Sequence, residues 1–179
     1  MRRRLTIDDL IQGLFNVCTL RGGPQDRDPV AVREAMLPSV NKDVALGELA
    51  LLRVCAAVYA CESFFRAADQ PKVRRSLARL LPPMVMDCGD ERIKGQPEKA
   101  MEELNRRYPL YLEALSTPNE LGSSLNTGAV FARLCGHESD KMVAMAGWVE
   151  FLGAISAAEG FLSDFRTYDG GEVIDLPQE

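Results

Sequence analysis

One histidine, His137, and one tryptophan are all that the 179 residues hold of either type, and the chain has no C-x-x-C, E-x-x-H, H-E-x-x-H or G-x-S-x-G motif and no glycine-rich phosphate loop. One imidazole beside one local thiol, Cys135, gives too few ligands for a tetrahedral zinc site. The lack of E-x-x-H removes the usual template of a dimetal carboxylate bundle. His137 in CGHES is therefore read as a polar residue of an interhelical turn, and no metal, cofactor or catalytic residue is assigned. Basic charge is also short. The 21 Lys and Arg against 26 Asp and Glu leave a net charge of −5, the wrong sign for a protein that holds nucleic acid by displacing phosphate counterions.

The five cysteines, Cys18, Cys55, Cys61, Cys88 and Cys135, are odd in number and follow no framework spacing. Three lie in apolar helical patterns, which is how reduced, buried thiols of a cytoplasmic protein are used. The start MRRRLTIDDL is basic, but Asp8 and Asp9 interrupt it before any apolar run, so no secretory signal is expected. A cytoplasmic location follows.

Apolar residues, by contrast, are concentrated. Residues 43–68 and 140–165 are two long Ala-rich stretches that align without gaps at an offset of 97, both ending in A-x-x-A-x-E-x-F. Residues 142–162 are long enough to span a bilayer, yet Glu150 and Glu159 would each cost about 2.5–3.5 kcal/mol there. Glu48 and Arg53 disqualify residues 44–61 in the same way. Both stretches are read as buried helices of a soluble protein, and no transmembrane segment is predicted. At about 100° per residue Arg53 lies on the apolar side of the first, with Leu49, Ala57 and Phe64. Glu150 lies with Val143, Gly147 and Ala154 on the second. Opposite charges at equivalent positions predict a buried ion pair near the middle of the core, because either charge alone would cost several kcal/mol. Glu62 points away and is expected to pair with Arg66 at i+4.

Capping signals place further helices. Thr6 opens one that ends at Gly22-Gly23-Pro24, and Asp28-Pro29 starts a short one reaching Leu37. Asn41 or Asp43 caps the first long helix. PKVRRSLARLL follows, ended by Pro82-Pro83, and residues 82–96 read as a loop. A polar helix from Pro97 is broken or kinked at Pro109. Thr127 to Cys135 is helical with Gly136 just past its end, and Ser139 caps the second long helix. The predicted fold is all-α: a single-domain bundle of about six to seven helices over residues 1–168, built around helices 43–67 and 140–166. Residues 169–179, DGGEVIDLPQE, form a flexible acidic tail with one extended run at 173–176.

Two groups besides Arg53 and Glu150 are candidate sites. Lys72, Arg74, Arg75 and Arg79 give one helix a basic face suited to an acidic partner, a phosphate group or a membrane surface. Asp87, Asp90 and Glu91 gather carboxylates in the loop MDCGDERIKG, where a hard cation would find oxygen ligands, although the spacing is not that of an EF-hand. Three function classes fit. The first is a non-catalytic, protein-binding helical protein: an adaptor, accessory subunit or chaperone-like protein, with small-residue helix surfaces suited to close packing, including in a homodimer. The second is a ligand-binding or enzymatic bundle with an inter-helix pocket in which Arg53 anchors an acidic small molecule. The third is a DNA-binding regulator reading with residues 71–81, which the acidic total disfavours.

Overall fold

A computed structural model describes residues 4–19, 40–86, 90, 92–120, 122–163, 165–167 and 173–175. The fold is all-α, with six helices among the described residues: α1 (Ile7–Thr19), α2 (Lys42–Phe64), α3 (Gln70–Met86), α4 (Pro97–Ser116), α5 (Leu125–Leu134) and α6 (Lys141–Ser163). Two of them are the long apolar helices predicted, and they pack on each other. The predicted short helix at residues 28–37 lies outside the described residues. Helix α2 touches every one of the other five helices. Its composition explains why, since a helix that is apolar all round must be covered all round: Leu51, Leu52, Val54, Cys55, Ala56 and Ala57 point in every direction and all are buried.

The helix starts follow their caps. Thr6 Oγ1 accepts from the Asp9 amide at 3.1 Å while Asp9 Oδ2 accepts from the Thr6 amide at 2.8 Å, a reciprocal cap on α1. Asn41 Oδ1 accepts from the amides of Asp43 and Val44 at the start of α2. At α6 the cap is Asp140 rather than Ser139: its Oδ1 accepts from the Met142 amide at 2.9 Å and the Val143 amide at 3.3 Å. Gly136, at φ +78°, ends α5 as predicted. The amide of Gly136 donates to Arg133 O and that of His137 to Ala132 O, a pattern that needs a left-handed residue at this position.

Pro82 and Pro83 do not end a helix as the sequence predicts, and of the break or kink predicted at Pro109 the break does not occur. Pro82 and Pro83 lie inside α3, and Pro109 lies inside α4. In each case a buried stripe continues past the proline. Val73, Leu77, Leu81 and Val85 form one along α3; Ala100, Leu104, Arg107, Tyr111 and Ala114 form the other along α4. Burying a large apolar side chain is worth about 1.5–3 kcal/mol, so a stripe of four or five buried residues offsets a cost of roughly 3 kcal/mol for each interior proline, two in α3 and one in α4. The predicted loop at 82–96 therefore starts late. Residues 82–86 are helix, and 92–95 form a turn leading into α4. Helix α2 stops at Phe64, earlier than residue 67, with Phe65 extended at its C-cap.

A small sheet joins the two ends of the described chain. Strands β1 (Arg4–Leu5), β2 (Phe165–Thr167) and β3 (Val173–Asp175) pair antiparallel in the order β1-β3-β2, with Arg4 and Arg166 both opposite Ile174. The extended run expected at 173–176 is thus β3, the central strand. The rest of the predicted tail, 169–172 and 176–179, lies outside the described residues.

Candidate functional site

Arg53 and Glu150 meet. Arg53 donates to Glu150 Oε2 from Nε at 3.1 Å and from Nη2 at 2.6 Å. Yet their side chains remain 13% and 20% exposed, so the pair lies at the rim of the α2–α6 seam and not in the middle of the core. The reason is the position of α6, whose apolar window is only 33% buried against 78% for α2. Arg53 thus has a carboxylate partner on the neighbouring helix.

The charges at the centre are others. Glu48 of α2 is 1% exposed and Arg107 of α4 is 2% exposed. Arg107 donates to both Glu48 oxygens, from Nε at 2.6 Å and from Nη2 at 2.5 Å. Arg92 adds two bonds to Glu48 Oε1 at 3.1 Å and grips buried Asp90 with Nε and Nη2. Glu103 accepts from Arg107 and, at 2.8 Å, from Arg106. Three carboxylates and three guanidinium groups balance, which is the condition for burying charge. Despite the penalty of burial, hydrogen bonds from Arg92 hold the Asp90 carboxyl below the usual carboxylate range, and those from Arg107 do the same for Glu103. Gly47 makes room, because a Cβ there would sit 2.5 Å from Arg92 Nη2. The cluster clamps α2, the turn at 92–95 and α4 together. Asp90 is thus an ion-pair partner, and the loop companions predicted with it, Asp87 and Glu91, lie outside the described residues.

This cluster was not read from the sequence, although two signals for it exist. Glu48 interrupts a helix that is buried all round, so it needs a cation. Arg107 falls on the buried stripe of α4 once the helix is carried through Pro109.

The basic face divides between two surfaces. Lys72, Arg75 and Arg79 line an open depression of about 420 Å³ with Thr6, Ile7, Asp8 and Ser76. Asp8 pairs with Arg79, and hydrogen bonds from Ser76 and Arg79 lower its pKa. Arg74 instead borders a groove of about 270 Å³ between α2, α3 and α4, where Leu77, Leu81, Met101 and Leu104 give apolar walls. At its edge the Tyr108 hydroxyl donates to Glu62. Glu62 does not pair with Arg66 as predicted. The helix has ended by then, and Arg66 binds Asp69 at 3.0 Å. His137 is half-buried in the turn after α5. Among the described residues no group of three or more His, Cys, Asp or Glu is placed to hold a metal ion. Cys18, Cys55, Cys61 and Cys135 are buried thiols outside any disulfide, and burial pushes those of Cys18 and Cys135 up to about 12.

Another chemically uniform surface belongs to α6. Its inner side packs closely: a Cβ on Gly147 would meet the Phe131 ring, and one on Gly128 of α5 would meet the Ala144 carbonyl. Its outer side is also apolar. Met142, Met145 and Val149 are 55%, 46% and 50% exposed. At about 100° per residue they share one face with Leu152, Gly153, Ser156 and Gly160. A Cβ on Gly153 or Gly160 would touch nothing within 4 Å. No charged residue lies at the centre of this face. Lys141 and Glu159, both exposed, flank it near its two ends.

Comparison of the chain with protein-family models, with curated proteins and with solved structures found no match to any of them.

Proposed function

We propose that this is a non-catalytic helical protein whose work is to bind a protein partner through the outer face of α6, in a reducing cytoplasm. The observation that carries it is that face itself. A 23-residue apolar helix shows solvent a continuous row of Met142, Met145 and Val149, and contiguous exposed apolar patches on a soluble protein mark interaction sites. Methionine suits the role, being flexible and polarizable enough to fit an irregular partner surface. The buried thiols support the choice of compartment. The balanced ion clusters inside the bundle support a scaffold, since each charge already has its partner.

The test is affinity capture with tagged full-length protein, comparing wild type, Val149→Lys, and Lys72→Glu on the basic surface of α3. A stoichiometric companion held by wild type and Lys72→Glu but lost from Val149→Lys is expected. The same companions on all three would remove α6 from the interaction.

A second reading rests on the groove between α2, α3 and α4. Apolar walls with Arg74, Glu62 and Tyr108 at the edge suit a small amphipathic ligand. Its volume of about 270 Å³ falls just below the usual range of ligand pockets, about 300–1,000 Å³. Saturable binding of a fluorescent fatty-acid analogue, weakened by Leu77→Trp, would favour it.

A further inference from the structure

We propose that the occupant of the α6 face is α6 of a second copy of this chain, packed antiparallel about a twofold axis that passes between Val149 and Leu152; this rests on the reading of that face as a docking surface. Two features of the helix favour a copy of itself over another protein. The first is shape. Along the face, bulk stands at one end and space at the other: Met142 and Met145 project near the start, whereas Gly153, Ser156 and Gly160 lie toward the end. Reversing one helix against the other sets Met145 opposite Ser156 and Met142 beside Gly160, so each large side chain enters a gap in its partner. A parallel pair would crowd methionine on methionine and leave the glycines facing a void.

The second feature is charge. At about 100° per residue Lys141 and Glu159 lie on the same flank, roughly 70° from the centre of the face. In an antiparallel pair, equal flanks of the two helices adjoin. Lys141 of each copy then meets Glu159 of the other, twice by symmetry. In a parallel pair the two flanks lie on opposite sides of the seam, and neither charge finds the other. An isologous contact of this kind closes after two copies and leaves no open surface for further growth. The contact length is about 27 Å, from Met142 to Gly160 at 1.5 Å per residue. A single helix pair is a small interface, so the dimer is a weak one with a dissociation constant in the micromolar range.

Sedimentation equilibrium of the full chain, from about 5 to 500 µM to bracket that range, tests the proposal. A monomer–dimer equilibrium is expected. Val149→Lys, at an exposed position where folding is spared, is expected to raise the dissociation constant about 100-fold, since it buries a charge at the centre of the seam. Lys141→Glu and Glu159→Lys should each weaken the dimer, and Lys141→Glu/Glu159→Lys together should restore it. Circular dichroism confirms that each variant keeps its helices. Monomer throughout the range overturns self-pairing; if Val149→Lys still loses a companion in affinity capture, the docking surface stands and its partner is another protein. A dimer that Val149→Lys leaves unchanged overturns the proposal too, as does a dimer whose double charge swap is not rescued. Flotation of wild type, but not Val149→Lys, with phosphatidylcholine–phosphatidylglycerol vesicles would assign the face to a bilayer and likewise overturn it.

Discussion

Tyr111 is the side chain whose surroundings least suit its chemistry. It is buried against Phe151, with ring centroids 6.1 Å apart and nearly parallel, and its hydroxyl has no hydrogen-bond partner among the described residues. Burial raises its pKa well above the ordinary value, so the phenol stays neutral but remains an unmade bond. An unsatisfied buried donor costs about 1–3 kcal/mol. Tyr111→Phe keeps the ring stack and removes that cost. We expect it to raise the free energy of urea unfolding by about 1 kcal/mol or more. A loss of stability would show that the hydroxyl is bound after all.

Between elements, the two sets of ion pairs differ by environment, and their energies should differ accordingly. Arg53–Glu150 joins α2 to α6 with side chains still 13% and 20% exposed, where water reaches the charges and screens them in part, so their coupling is weaker than that of a fully buried pair. Glu48–Arg107 joins α2 to α4 where both side chains are almost wholly buried. Removing one member there strands the other, at a cost of about 3–5 kcal/mol. Chemical unfolding of Arg53→Met and Arg107→Met should therefore separate clearly, with the second far less stable. A double-mutant cycle for Arg53→Met and Glu150→Leu should still show a favourable coupling, because the two side chains are in direct contact. Equal losses for the two arginine variants would mean that burial does not set these energies as argued.

For the whole molecule, the titrating groups predict a stability plateau with two falling edges. Asp8, Asp90 and Glu103 all have lowered pKa values, chiefly through hydrogen bonds from Ser76 and Arg79, from Arg92, and from Arg107. A depressed carboxylate stabilises the fold fully above its unfolded value, 3.8 for Asp and 4.5 for Glu, and that contribution is lost as pH falls through the folded value. The buried thiols act with the opposite sense. Cys18 and Cys135 rise from 9.0 to about 12 by burial, so their contribution is complete below pH 9 and disappears between 9 and 12. Urea midpoints measured from pH 2 to 11 with reductant present should be flat from about pH 5 to 8 and fall on both sides. A midpoint that stays constant to pH 2, or that rises above pH 9, would contradict these assignments.

Much of this architecture is local in origin and was therefore legible in the chain. Thr6 and Asn41 cap their helices through atoms two or three residues away, and Gly136 takes its left-handed turn for reasons contained within α5. The two long helices follow from their apolar length, and Arg53 with Glu150 from helical phase alone. What phase does not tell is depth. A periodic pattern says which residues share a face but not how many neighbours cover that face, and so the sequence predicts a core pair where the fold has a rim pair. The prolines failed as stop signals because burial of Val85, Tyr111 and Ala114 comes from other helices, and that gain outweighs a local penalty. The Glu48–Arg107 contact spans 59 residues, and only the packing of α4 on α2 decides that those two charges meet. The outer face of α6 is the same kind of case: its apolar residues are written in the chain, but their exposure exists only because α1, α2 and α5 cover the other side.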